Sequence, residues 1–580
     1  MSSSNAISKK TGWSAKIIAL TVILLLVALI LVATLCCFVF INELPSFNYE
    51  VILPNGGNIL LVSLEITNPL LSKTREVSLL IGDKQIDILA CVNASGQPSG
   101  NPLLEDGVFY IRTGRGSKTY LTYSVEVSTS GKHGYRGQIS SDYAMFDGEQ
   151  ALLLPADSYT YNPGKYKTVL MSEISFGFDM PDGWEQITPR EPIKNPLWAD
   201  IYAITQDAFV FGIFDELPVS SQGLKAYVLS GGAESASSDV LTGFDNLYAY
   251  YSELFGDTPE NFTIVALPKP DDEIPQVIGG AGRSSVAASF DADSLRDWEL
   301  MSHRLFHAFF DTAAPYPTFR MDTNTWFYEG LASYYENQSL DALPDSLKSR
   351  LNVDVNRQLA LLFDRYLYMR IKEPTVYGFP PMREDSLTIE AQIEFLHYTV
   401  APLLVKLLED KAIEKGAQPN SALRYCVDNG ASLDERFVSF EAAINLLGED
   451  DAGTYIESYL LSIEVPPLWY LEPYQPSDEE VLAALNDIES ILGSWFLVND
   501  DTYYIDTVTY DQLQNAIENS ASRLTSFVST RTSVLLKNYC APLYALLNDY
   551  YYRAKQKGLD FDDPELRRKM FYDEIYAGES

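Results

Sequence analysis

The chain has 580 residues, 46% hydrophobic and 21% charged, which is enough for three or four domains and too apolar for wholesale disorder. Forty-two Lys and Arg stand against 79 Asp and Glu, a net charge of −37. Such a surface repels a polyanion, which argues against a nucleic-acid partner and against charge-driven adsorption to anionic lipid. Five cysteines are too few for a disulfide scaffold.

Taken in chain order, residues 1–16 form a short stub with Lys9, Lys10 and Lys16 and no acid. From Ile17 to Ile41 no side chain is charged. As one helix this run rises about 37 Å, enough to span a ~30 Å hydrocarbon layer. Glu43 and Glu50 follow it. The positive-inside bias then puts the stub in the cytoplasm and the bulk of the chain outside, as a single-pass protein of the cell membrane. A cleaved signal peptide is the rival reading, but its apolar region is about 7–15 residues and ends in small side chains; this run is longer and ends in bulky ones. A lipoprotein anchor at Cys36 is disfavoured by Leu35 before it. Asn93, Asn261 and Asn337 each head a glycosylation tripeptide, and Cys91, Cys426 and Cys540 are widely spaced with no metal-binding pattern.

Residues 47–215 alternate apolar and polar side chains in short runs, as in Asn58 to Ile66 and Thr119 to Val127, broken by Gly, Pro, Asn and Asp. This pattern predicts a β-sandwich. Residues 216–465 turn mainly helical, with helices expected near 241–255, 294–312, 326–338 and 387–415, the first stopped at Phe255-Gly256. Pro466, Pro467, Pro473 and Pro476 mark a boundary. Residues 470–580 read as a small helical domain, with capping boxes at Ser477/Glu480 and Thr509/Gln512. His133, in a Gly-rich run, is expected in an exposed turn.

Two of the four histidines stand four apart, in His303-Arg304-Leu305-Phe306-His307. On a helix this spacing places both imidazoles on one face, where they can share a Zn²⁺ at about 2.0–2.1 Å. A third ligand is available in Glu329, on a second predicted helix beginning Trp326-Phe327-Tyr328-Glu329-Gly330 and continuing to Tyr334-Tyr335-Glu336. The competing reading is a packed core in which the same groups satisfy one another by hydrogen bonds.

These motifs resemble those of the glycyl aminopeptidases, metallopeptidase family 61, which are zinc peptidases of the gluzincin type with an HExxH helix and a ligand Glu in a W-x-x-E-G-x-x-x-Y-Y helix. Met180-Pro181-Asp182-Gly183-Trp184, Gly212-Ile213-Phe214, Phe255-Gly256 and Ile278-Gly279-Gly280 are similar to further family motifs in the same order, and the resemblance covers roughly residues 50–450. It implies a thermolysin-like domain after the sandwich, with His303, His307 and Glu329 as zinc ligands. The family's C-terminal PDZ module is not visible.

The chain departs from the family at three motifs. The general-base Glu is replaced by Arg304, giving HRxxH. A guanidinium cannot accept a proton, because its pKa exceeds about 12. Pointing inward, at ~5 Å and an effective dielectric of about 20, it would repel the cation by roughly 3 kcal/mol; pointing outward, it would pair with an acid. In the family's edge-strand motif a Glu receives the substrate amine. Here the sequence is Gly279-Gly280-Ala281-Gly282-Arg283, so Gly282 replaces it and Arg283 follows, in a loop expected at the surface. Of the family's Y-x-K-G motif only Tyr398 remains, which could polarise a carbonyl or simply pack. Glu299 and Glu336 are the nearest substitute bases, without the family's geometry. The expected function is a membrane-anchored, extracytoplasmic pseudopeptidase that binds a peptide or protein; the alternative is an active zinc aminopeptidase with an unorthodox base.

Overall fold

The computed structural model describes residues 19–30 and most of 43–471; the longest stretches it leaves out between these limits are 128–136, 157–171, 270–278 and 373–395. Residues 19–30 are helical with every side chain exposed. No helix among the described residues is long and apolar enough to cross a membrane, and the expected span of 17–41 extends beyond 19–30 at both ends. The expected helical domain at 470–580 lies outside the described residues from 472 onward, as do His133 and Cys540.

The chain divides into two compact units. The first holds residues up to Val127 together with 148–182 and 189–205. Its six-stranded sheet runs in the order Ile193–Lys194, Glu173–Asp179, Ser46–Ile52, Ile59–Asn68, Ser117–Glu126 and Ile86–Asn93. Alternation explains it: Leu60, Val62, Leu64 and Ile66 are fully buried, facing the same side as Leu121 and Tyr123 of the paired strand. A four-stranded sheet adds Val77, Leu79 and Ile111 to the interior. The Tyr49 hydroxyl donates to the Leu153 carbonyl at 2.8 Å, so this buried phenol keeps its hydrogen bond.

The second unit holds 128–147, 183–188 and everything from 206. The expected sandwich range of 47–215 is therefore interleaved between two units. Tyr143–Asp147 pairs antiparallel with Gln138–Ile139 just before it and, on its other edge, with the distant Ala208–Gly212. Gly212 is needed there: its φ is 150° and a Cβ would stand 2.6 Å from the Asp142 carbonyl oxygen. Five further strands, β1 (Phe214–Leu217), β2 (Leu224–Leu229), β3 (Phe262–Leu267), β4 (Gly279–Gly282) and β5 (Ser285–Ser289), form a sheet in the order β1-β2-β3-β5-β4. The central β2, β3 and β5 are parallel. Both faces of β3 and β5 are buried, so their sequences FTIVAL and SVAAS lack alternation.

Helices dominate the rest. α1 (Ser238–Phe255) buries Val240, Phe244, Leu247, Tyr251 and Leu254 at helical spacing and stops at left-handed Gly256. α2 (Leu295–Ala313) starts at Ser294, whose side chain accepts from the Asp297 amide. α3 (Asp322–Ser339) packs against α2 and against α4 (Ala401–Glu414). The helix expected at 387–415 is seen as a short wide-turn segment, Leu396–Val400, running into α4; its first part lies outside the described residues. Asn337 is buried within α3, with its amide donating to the Ser333 carbonyl at 2.8 Å. Its tripeptide therefore lies inside the folded unit, which argues against a glycan at this position.

Candidate metal centre

α2 is amphipathic in an unusual sense: its inner face is almost wholly buried and carries polar groups as well as apolar ones. His303 and His307 lie one turn apart on it, with Nε2 atoms 2.9 Å from each other. From α3, Glu329 Oε2 approaches them at 3.3 and 3.4 Å. The structure thus brings together the three residues that the spacing singled out.

These separations fit a cation. Tetrahedral zinc with bonds of about 2.0–2.1 Å sets its donors about 3.3 Å apart. Among the described residues, Glu329 Oε2 is buried and finds no partner of good hydrogen-bond geometry beyond these two ion-pair contacts, so an acceptor faces the two imidazoles. Burial alone would lift the Glu329 carboxyl, but His307 and His303 hold it well below the usual carboxylate range. His303 is pulled down by burial and raised more strongly by Glu329 and Glu336, to about 9. In the metal-free protein an imidazolium proton supplies the positive charge that a metal ion would otherwise bring.

A second layer supports the first. Glu336, two turns beyond Glu329 on α3, sets Oε2 2.7 Å from His303 Nδ1. A carboxylate there accepts a hydrogen bond from Nδ1–H, which keeps the proton on Nδ1 and turns the Nε2 lone pair toward the centre. Arg296 then bridges Glu336 at 3.5 Å and Glu299 at 3.2 Å, and Gln358 donates to Glu299 at 2.6 Å. Burial lifts the Glu299 carboxyl against the pull of Arg296. Of the two acids considered as substitute bases, Glu336 is therefore committed to His303 and Glu299 to Arg296 and Gln358. The i, i+7 relation of Glu329 and Glu336 on one helix is the sequence signal that could have shown this role.

Tyr398 stands with its ring 5.8 Å from that of His303. Tyr328, which the sequence reading passed over, lies against His307 with ring centroids 4.5 Å apart, and its hydroxyl donates to Asp311 at 3.1 Å. Its only sequence signal was its place just before Glu329.

Arg304 takes neither expected direction. It is 3% exposed, and its Nη1 donates to the Ala287 carbonyl of β5 at 2.8 Å. One residue on from His303 is about 100° around the helix, which aims this side chain at the sheet. Gly279, Gly280 and Gly282 lie in β4, the edge strand beside β5 and next to α2. Arg283, in the turn between these strands, is half-buried and not on an exposed loop, and its carbonyl accepts from Thr312 of α2 at 3.4 Å.

No protein-family model matches the sequence, and no curated protein does. Solved structures do. The aminopeptidase N family protein of Idiomarina loihiensis matches with a TM-score of 0.52 at 14% identity, over 73% of this chain and 77% of that one. The M1 zinc metallopeptidase of Deinococcus radiodurans matches with a TM-score of 0.47 at 15% identity, over 74% and 96%. The chain therefore has a metallopeptidase fold of the aminopeptidase N kind, sheet-rich toward the N-terminus and helical after it.

Proposed function

We propose that this chain is a membrane-anchored, extracytoplasmic homologue of the zinc aminopeptidases that keeps a metal centre and binds a peptide or protein without hydrolysing it. The observation that carries the proposal is Arg304. At the position where hydrolysis needs a proton acceptor stands a buried guanidinium that donates to the Ala287 carbonyl and cannot take up a proton. His303, His307 and Glu329 would hold zinc, which when bound supplies a Lewis acid for a carbonyl oxygen. Glu336 keeps the His303 tautomer that such binding requires. Tyr398, beside His303, offers a phenol to the same carbonyl. The glycine-rich edge at Gly279, Gly280 and Gly282 gives an extended peptide close access to the backbone, and Gly282 removes the amine-seeking acid while Arg283 beside it adds a cation. Residues 17–41 provide the anchor.

The test is the zinc content and turnover of the detergent-solubilised full chain. About one zinc per chain, lost in His303→Ala/His307→Ala, with no turnover of Gly- or Ala-terminal peptides, supports the proposal. Turnover that disappears in His307→Ala overturns it in favour of the second reading, an aminopeptidase with an unorthodox base, which the His/His/Glu geometry and the nearby Tyr398 favour. Turnover gained only in Arg304→Glu would place the loss at that residue; an inactive Arg304→Glu would shift it to Gly282.

A further inference from the structure

Away from the histidine centre, a cavity of about 590 Å³ opens in the same unit. It lies where the parallel strands β2, β3 and β5 end, at Leu229, Leu267 and Ser289, and α1 crosses it. Loops leaving the carboxyl ends of parallel strands splay apart there, which makes that end of a sheet the usual place for a ligand crevice. Its volume is within the ~300–1,000 Å³ of small-molecule sites. None of its lining residues belongs to the histidine centre.

The wall is apolar, formed by Leu217, Val228, Val240, Phe244, Ala266 and Phe290. Phe244 and Phe290 are backed by Trp298 of α2, at ring separations of 5.4 and 4.9 Å, so this wall is rigid. The rim is charged, and the charges do not cancel. Lys269 Nζ is held by Asp297 Oδ2 at 2.8 Å, and Arg350 Nε meets Asp293 Oδ1 at 3.0 Å. Among the described residues, that leaves the exposed Asp291 at the mouth with no cation paired to it; its Oδ1 accepts from the Asp293 amide at 2.9 Å. Among the described residues, two cations thus stand with three carboxylates, counting Asp297 and Arg350 as partners of the lining residues. The −37 chain adds a field of the same sign.

We infer that this cavity binds a small apolar molecule bearing one protonated amine, with the tail against Phe244 and Phe290 and the ammonium at Asp291. A neutral analogue keeps the apolar contacts and loses the ion pair. An anionic analogue meets the excess negative charge.

Calorimetric titration of the full chain tests this, with EDTA present so that no metal takes part. The probes are phenethylamine, 2-phenylethanol and 3-phenylpropanoate. Phenethylamine is expected to bind tightest and 3-phenylpropanoate about tenfold weaker or worse. Asp291→Asn should weaken phenethylamine about threefold to fivefold, as for an exposed ion pair, and leave 2-phenylethanol unchanged. Ala266→Phe, which fills the cavity, should abolish binding of all three. Because Ala266 is buried, Asp291→Asn at the exposed rim keeps the test decisive if Ala266→Phe fails to fold. Absence of phenethylamine binding, equal binding of the propanoate, or indifference to Asp291→Asn each overturns the inference.

Discussion

The chemistry of the histidine centre turns on which way single side chains point. Glu336 illustrates it. By fixing the Nδ1 proton of His303 it readies Nε2 for a metal without touching the metal itself, so Glu336→Gln should weaken zinc binding about 10–100-fold. Competition with a calibrated chelator measures that loss, and an unchanged affinity would remove Glu336 from the site. Arg304 makes the opposite kind of contribution. Its charged hydrogen bond to Ala287 ties α2 to β5, so Arg304→Met should cost about 1.5–3 kcal/mol of stability in urea unfolding while the zinc content stays the same. If zinc were lost along with stability, the guanidinium would be shaping the centre and not only the packing around it.

At the scale of elements, the centre depends on how closely three helices approach. Glu329 reaches the histidines because α3 lies tight between α2 and α4. A Cβ on Gly330 would fall 2.7 Å from Ala401 Cβ on α4, so this glycine sets the spacing. Gly330→Ala should destabilise by about 1–3 kcal/mol through overpacking and should also weaken zinc, because α3 must shift. Unfolding and zinc titration of the same variant check both effects. The start of α2 is less sensitive: Ser294→Ala removes one cap, at about 1 kcal/mol. The helices themselves were legible in the sequence, since α1 and α2 follow the expected 241–255 and 294–312 closely. The strands were legible as strands but not as partners. Tyr143–Asp147 is buried nearly throughout, so no alternation marks the sheet to which it belongs.

For the whole molecule, a metal held at this centre would be linked to the fold. Three ligands from two helices are brought together only in the folded chain, so zinc at about 100 times its Kd should add about 2.7 kcal/mol. Thermal unfolding should show a zinc-dependent rise in Tm, reversed by EDTA and absent from His303→Ala/His307→Ala. A rise that persists in the double variant would mean that zinc binds elsewhere. The division into two interleaved units lay beyond the sequence reading, because the chain leaves and re-enters each unit and composition does not change at those crossings.

The sequence by itself determined the acidic charge, the long apolar run near the N-terminus, the i, i+4 histidines, the candidate third ligand and the arginine at position 304 between the histidines. Each is a matter of residue type and local spacing, which a helix converts directly into a shared face. Only the tertiary structure decided that Glu329 closes on both imidazoles, that Glu336 stands behind His303, that Arg304 turns to the Ala287 carbonyl, and that a separate acid-rimmed cavity opens at the ends of the parallel strands. Those are contacts between segments tens of residues apart, and no local periodicity encodes which long-range partners packing brings together.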